Sequence, residues 1–565
     1  MGYFPLFGAV QREAEIWVSP RPSQPGDNGT PTAPFGVGES GEFDRFMSQF
    51  RGIPNLTFRL MEGVFETAGV HEVLPGRPPH PHTWEPAHGW KILGQGMEKT
   101  IIRLTRLHER NPTKYHVIGN TTTGRPLSTL EVAYLTLDAN GAAMSLLADS
   151  GFGCAYFKGS YIYLHHLECI GGFNALSPEA HNAASFREIF LLGIQGTHKV
   201  GATNNVIDRC NVRATEGSPK AFAGAVEGLT TAVINGAHID ERFPNAGSFN
   251  PRISNCLIDG LHPSGRLHGI TMFGAINGHV WNNTVVNARF GFYSDDAPWT
   301  HSVRVEENWI HNVVSGVYLN YGDYHYRWGR VAVINNQIWV CKDCALPGQP
   351  SQSSDGINLV GARPPKPPSF ETTYVVGNVV YSVDESGGGR INDYGIQVAY
   401  HRNALVASNQ VGILRKRNSL KVLRDPLADE RYWFFENVDA SGDPLMVHDR
   451  SMPGCRSSDT WDITPCAYTN PFPWTPSVEA LFSWVGEVTT NERAPIRPGF
   501  GSIPSVLLNA SQADYDAPFE FRQDLGNELD SHGVSRTEDQ GRMTFRVHVD
   551  QPGTFHIWLR MRPPD

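Results

Sequence analysis

A six-residue pattern recurs nine times between residues 132 and 411: an apolar residue, two variable positions, then Asn, Cys or Leu, one variable position, and an apolar close. The copies are Val132–Leu137, Leu164–Cys169 with its apolar close displaced to Ile170, Ile207–Val212, Ile253–Ile258, Val280–Val285, Val305–Ile310, Val333–Ile338, Val375–Val380 and Val406–Val411. The fourth position reads Leu135, Leu167, Cys210, Cys256, Asn283, Asn308, Asn336, Asn378 and Asn409, at spacings of 32, 43, 46, 27, 25, 28, 42 and 31. A shortest period of 25 with variable excess is the signature of one structural unit repeated with loop insertions. A second pattern, Gly followed by a large apolar residue, trails most copies as Gly269-Ile270, Gly291-Phe292, Gly316-Val317, Gly356-Ile357 and Gly395-Ile396. Each period therefore holds at least two short strands separated by a turn. Such strands cannot bury a face alone, whereas stacking successive periods as parallel coils can.

In that arrangement the recurrent Asn falls at one bend of every coil. Its side-chain amide can bond to the next coil and satisfy backbone groups that the turn leaves unpaired. Asn is also an ordinary turn former. Five in one register, continued by Cys and Leu, favour an inward ladder. Gly (57) and Pro (40) exceed 17% of the 565 residues, with hydrophobic residues at 40% and aromatics at 11%, a turn-dense composition that still forms a core and points to β structure.

At this point the chain resembles the pectate-lyase-like right-handed parallel β-helices over about 16–415. The stretches that carry the likeness are Ile16-Trp-Val-Ser-Pro20, Gly26-Asp-Asn-Gly-Thr-Pro31, Ala33-Pro-Phe35, a short helix over Glu42–Phe50, and Leu56-Thr-Phe-Arg-Leu60 followed by Glu62-Gly63-Val64-Phe65. The fold expected is all-β: 1–70 an opening strand and N-terminal cap, 71–415 the right-handed parallel β-helix, 416–504 a C-terminal cap and linker, and 505–565 a partial β-sandwich. Tyr432-Trp-Phe-Phe435 reads as a further strand, and the Pro-, Ser- and Trp-rich 451–504 as a stretch with little regular structure.

Beyond 505, Phe519-Glu-Phe521 reads as a strand, and Met543–Val549 with Thr554–Arg560 as a hairpin about Gln551-Pro-Gly553. This end resembles the jelly-roll carbohydrate-binding modules attached to secreted β-helix enzymes. A closed sandwich needs about 100 residues and only some 60 remain here. The expectation is that the protein continues past Asp565, or that this segment is completed on the coil stack or on another subunit.

The resemblance implies an extracellular or cell-surface protein that binds or degrades a polysaccharide, a lyase or glycoside hydrolase if catalytic. The alternative is a non-catalytic structural or adhesive rod, with contacts through loops 213–252 and 341–373. The motifs Asn-Thr-Asp, Gly-His-Gly and Arg-Ile-Lys of polygalacturonases are absent, as is Asp-Pro-His-Asp of mannuronan epimerases.

Alternation after each glycine puts Ile270, Phe292, Val317, Ile357 and Ile396 inward and Thr271, Tyr293, Tyr318, Asn358 and Gln397 in an outward row. Its polar section gathers on two coils. Asp295, Asp323 and His325 are the candidate acid and base groups, and Tyr293, Tyr318, Asn320 and Arg327 the candidate substrate contacts; His268, His301, His401 and Arg402 lie further off. Next to a uronate, Arg or a Ca2+ ion would neutralise the carboxylate. The same Asp295-Asp296-Ala-Pro298 also makes a good turn. His165-His166 reads as a pair of surface imidazoles without nearby carboxylates, and no metal site is assigned.

A formal net charge of -10 speaks against a nucleic-acid partner held by phosphate neutralisation. No apolar run approaches the roughly 20 residues that span a bilayer, so membrane insertion is not expected. The opening residues have no basic n-region or adequate h-region, so a leader is not visible. Self-association or attachment through the C-terminal module is the further partner expectation. Of eight cysteines, Cys455 and Cys466 bracket a loop, Cys341 and Cys344 form an isolated CxxC that is a poor zinc site, and Cys210 and Cys256 fall in apolar strand patterns; a loop disulfide is the first reading, free thiols the second and a metal site the last, with the pairing left open.

Overall fold

The computed structural model describes residues 14–71, 84–107, 114–120, 126–147, 150–174, 188–196, 201–214, 229–237, 247–260, 267–295, 302–320, 329–341, 355–361, 370–382, 395–412, 420–423, 430–439, 442–445, 447–449, 473–482, 484–485, 514–516, 519–523, 531–535 and 542–544. By internal contacts the chain divides into Met1–Pro498 and Gly499–Asp565.

The first unit is a parallel β-helix with three strands per coil. Val280, Val305, Val333, Val375 and Val406 pair in unbroken register along the first face. Val285, Ile310, Ile338, Val380 and Val411 do so along the second, and Ile270, Phe292, Val317, Ile357 and Ile396 along the third. Nearly every member of these columns is buried, so each coil stacks apolar side chains on its neighbours, each burial worth about 1.5–3 kcal/mol. Strand pairing runs from Ala14–Ser19, which pairs with Leu56–Leu60, to Val447–Asp449.

Between the first and second faces ten successive coils turn through one left-handed residue: Tyr134, His166, Arg209, Asn255, Asn282, Glu307, Asn335, Gly377, Ser408 and Glu436 all have φ between 48° and 72°. The residue after each is the ladder position. Cys256 N–H donates to Asn283 Oδ1 at 3.0 Å, and Asn283, Asn308, Asn336 and Asn378 each donate their backbone N–H and Nδ2 to the Oδ1 of the next Asn at 2.9–3.0 Å. The expected ladder is therefore present. It extends one rung further, since Asn409 donates to Asn437 Oδ1 at 2.9 Å.

The recurrent glycines of the third face have a packing cause. A Cβ on Gly316 would lie 2.3 Å from the Gly356 carbonyl oxygen and 2.4 Å from Ile338 Cγ2, and one on Gly395 would lie 2.1 Å from Val411 Cγ1. The second-face side chains fill the space that these glycines leave open.

At the N-terminal end the helix Glu42–Ser48 sets Phe43 and Met47 into the core beside Phe65 and Trp84. Its buried Asp44 accepts from Thr67 Oγ1 at 2.6 Å, Ala68 N–H at 2.9 Å and Trp84 Nε1 at 3.0 Å, and pairs with Arg106. Arg431–Phe435 is the further strand expected.

Within the stretch expected to be irregular, a short helix forms at Pro476–Ala480, with Pro at its first position and Thr475 as N-cap. It lies on the outer side of the first face, where Leu405 and Trp433 pack with Val478 and Phe482, and Ala332 and Ile334 with Trp484 and Val485. Arg304 Nη1 donates to the Val485 carbonyl at 2.7 Å, and its Nη2 pairs with Glu306 at 2.6 Å. Alternation along the first face offered this apolar patch, and the helix covers it.

A disulfide joins Cys154 and Cys169, on different faces of one coil, and Cys341 is also disulfide-bonded. The first closes a 15-residue separation, worth about 3 kcal/mol on chain entropy. Cys210 and Cys256 are buried free thiols. Cys344, Cys455 and Cys466 lie outside the described residues.

In the second unit Phe519–Gln523 pairs antiparallel with Ser531–Ser535, and Asp514–Asp516 with Arg542–Thr544. The expected hairpin partners after Thr544 lie outside the described residues.

Candidate functional site

The outward row of the third face has the register that alternation predicts: Thr271, Tyr293, Tyr318, Asn358 and Gln397 are successive partners. It is not an open groove along its length. Thr271, Asn358 and Gln397 are buried, and only Tyr293 and Tyr318 are partly exposed. Their rings stack, with centroids 5.7 Å apart and planes 9° from parallel. Phe290 packs against both at 4.9 and 5.0 Å, and Arg289 lies 5.1 Å over the Phe290 ring. Rings that cover one another offer a ligand their edges and hydroxyl groups more than a stacking face.

Below them His268 sits 4.3 Å from the Tyr293 ring, buried, with neither ring nitrogen hydrogen-bonded among the described residues. Burial, with the Arg289 charge adding, holds its pKa down at about 3, so the ring is neutral. His401 is likewise buried and neutral, its pKa pushed to about 3 by burial; Nδ1 meets Thr373 Oγ1 and Nε2 lies 3.1 Å from the Leu359 carbonyl.

Asp295 and Asn320 are direct strand partners that close their strands; only their backbones are described. Asp323, His325 and Arg327 lie outside the described residues, as does His301. The structure thus brings together Tyr293, Tyr318 and the backbones of Asp295 and Asn320. Among the described residues no three His, Cys, Asp or Glu side chains converge as a metal site.

Two features escaped the sequence reading. The outer side of the second face carries a run of rings over three adjacent coils: Trp309 and His311 on one, Trp339 on the next, Tyr381 on the third. Trp309 stacks on His311 at 5.1 Å, Trp339 lies 5.9 Å from Trp309, and Tyr381 lies 6.5 Å from Trp339 with planes 23° apart. Trp309 is 39% exposed and the others partly so. The signal was legible: these are the first and third residues after the ladder Asn, outward by alternation.

The second corrects the reading of His165-His166. His165 is buried, and its Nε2 lies 3.1 Å from Glu131 Oε1, a carboxylate 34 residues earlier that coil stacking brings alongside.

No family model matches the chain, and no curated protein matches it. Among solved structures it is similar to the surface adhesin PfbA of Streptococcus pneumoniae (12% identity, TM-score 0.40, 74% of this chain and 91% of that one). It is also similar to the A-module of the Azotobacter vinelandii mannuronan C-5 epimerase AlgE4 (12%, TM-score 0.28, 70% and 89%) and to pectate lyase Pel9A (11%, TM-score 0.29, 72% and 79%). The coil architecture rests on the strand register given above.

Proposed function

We propose that this protein binds a polysaccharide, and that the run Trp309, His311, Trp339 and Tyr381 is its principal contact surface. The observation that carries the reading is one of spacing and exposure: aromatic rings stand on three consecutive coils, about one strand spacing apart, on a face where the described residues place no covering helix. Pyranose rings present apolar C–H faces; although Trp309 and His311 cover one another, Trp309 is 39% exposed and Trp339 is tilted 58° to it, so indole surface remains open to a glycan that repeats along the same axis as the coils. The net charge of -10 disfavours polyanionic chains and favours neutral ones. The Cys154–Cys169 bond supports a location outside a reducing cytosol.

If turnover accompanies binding, the third face is its place, with Asp295, Asp323 and His325 as acid and base candidates and Tyr293, Tyr318, Asn320 and Arg327 as contacts. The test is affinity electrophoresis of the full chain against soluble neutral and acidic polysaccharides, with release of reducing ends or unsaturated uronate followed in parallel. Retention that Trp309→Ala and Trp339→Ala abolish supports the reading; equal migration on every polysaccharide rejects it. Retention without released ends favours an adhesive rod, and loss of release in Asp295→Asn or Asp323→Asn would locate catalysis on the third face.

A further inference from the structure

At the bend between the first and second faces, the three successive coils that carry Tyr134, His166 and Arg209 depart from the Asn or Gly that most later coils use for the left-handed turn. A large side chain with φ near 50° costs energy that Asn or Gly would largely avoid. Strain of this kind, held on neighbouring coils, is a reason to ask what the side chains do.

They form one connected group. His165 Nε2 lies 3.1 Å from Glu131 Oε1, and His165 Nδ1 lies 2.9 Å from His166 Nδ1. Glu131 and His165 are buried; His166 is partly exposed. Tyr163 stacks on His165 at 4.0 Å, and Tyr134, itself 42% exposed, stacks on His166 at 4.8 Å. On the next coil Asp208, the register partner of His165, accepts from Ser254 Oγ at 2.8 Å and Asn255 Nδ2 at 2.7 Å, and pairs with Arg209 at 3.4 Å.

The order of protons follows from what each group can do. A carboxylate only accepts, so His165 carries a proton on Nε2, and in the neutral form of the ring Nδ1 then has a lone pair. The 2.9 Å contact then requires the proton of His166 to be on Nδ1, which leaves a lone pair on the outer nitrogen Nε2. No hydrogen-bond donor meets that nitrogen among the described residues. Burial, His165 and Arg209 lower the pKa of His166, against an opposing pull from Asp208, which keeps the lone pair available at neutral pH.

We propose that Glu131, His165 and His166 form a proton relay whose outer end, His166 Nε2, is a general base that activates water against a neutral carboxylic ester, with Arg209 stabilising the oxyanion. Two carboxylates and one guanidinium leave the site net negative, so an uncharged ester fits it better than a uronate does. His166 Nε2 takes a proton from water as the water oxygen bonds to the ester carbon, and the carbonyl electron pair moves onto oxygen beside Arg209. Collapse re-forms the carbonyl and breaks the ester C–O bond, and the departing alkoxide takes the proton back from His166. One water is consumed, and an acid and an alcohol are formed. The exposed ring of Tyr134 suits an O-acylated sugar. That last point rests on the polysaccharide reading; the relay does not.

The test uses the full chain with para-nitrophenyl acetate and with an acetylated neutral polysaccharide. Hydrolysis of the aryl ester above buffer is expected, reduced at least about 100-fold by His166→Asn, which suits the left-handed bend and should fold. Glu131→Gln, acting through His165, tests positioning: an amide that donates to His165 Nε2 reverses the relay and puts a proton on His166 Nε2. It should lower kcat with little change in KM, and alter the acid limb of the pH profile. No hydrolysis, or hydrolysis that both folded variants retain, overturns the relay. Aryl-ester hydrolysis with no acetate released from the polysaccharide leaves the relay standing and rejects the sugar substrate. Binding of polysaccharides is scored separately, so failure of that reading is distinguishable.

Discussion

Asn283 donates both its backbone N–H and its Nδ2 to a single acceptor, Oδ1 of Asn308, at 3.0 Å each. Asn308 repeats the arrangement on Asn336 and also donates Nδ2 to the Val280 carbonyl at 3.1 Å. Each amide thus closes groups on two coils, in the dry interior of the bend. Replacing Asn308 by Leu, the residue that occupies this row at positions 135 and 167, leaves the Asn283 backbone N–H without its acceptor and removes the Nδ2 bonds to the Val280 carbonyl and Asn336 Oδ1, while Asn283 Nδ2 keeps the Ile253 carbonyl and Asn336 Oδ1 keeps the Asn308 N–H. A loss of about 3 kcal/mol or more is expected in chemical denaturation. A loss below about 1 kcal/mol would show that the ladder is incidental.

His268 gives a pH prediction. Its folded pKa of about 3 lies below the ordinary 6.5, so the unfolded chain takes up a proton that the folded chain refuses. Stability present above about pH 6.5 is therefore lost as pH falls towards 3, and His116 and His401, also held at about 3 by burial, add to the loss. With both nitrogens unsatisfied among the described residues, His268→Phe should raise stability by about 1 kcal/mol and flatten this slope. Destabilisation at neutral pH would indicate that the ring has a partner in function.

Glu306 behaves in the opposite chemical sense with the same sign. Burial alone would raise its pKa, but hydrogen bonds from His279 and Arg304 outweigh that and bring it to about 2. Its stabilising contribution is present above about pH 4.5 and disappears as pH falls through about 2. The difference in Tm between the protein and Glu306→Gln should be largest near neutrality and vanish at the acid end; a pH-independent difference would refute the ion-pair account.

At the bend, Tyr134→Asn should stabilise the fold by a few tenths to about 1 kcal/mol, because Asn tolerates a φ of 59° far better than Tyr. His166→Asn should do the same while removing the proposed base. Equilibrium unfolding of both variants measures this, and destabilisation of either would mean that ring contacts outweigh backbone strain.

How much of this was legible depends on whether a contact repeats. The ladder from Asn283 to Asn409, the inward column Ile270 to Ile396 and the outward register of Tyr293 and Tyr318 were all readable, because a residue at a fixed place in a periodic strand has its direction set by alternation. Asn437 was missed since its copy closes on Asp439 instead of an apolar residue. The burial of Thr271, Asn358 and Gln397 was not readable, because alternation says which side a residue faces and nothing about what covers that side.

By itself, then, the sequence determined that this chain winds into stacked parallel coils: short strands at a minimum period of 25 have no other way to bury their apolar faces and pair their backbones. Tertiary structure decided which side chains meet across and between coils. Ladder spacings from 25 to 46 residues mean that lateral neighbours stand at no constant separation. Glu131 reaches His165 across 34 residues, Arg304 reaches the Val485 carbonyl across 181, and Cys154 finds Cys169 across the width of one coil. The first two contacts are set by where the chain re-enters the stack, and the third by the winding of one coil within Gly151–Asn174.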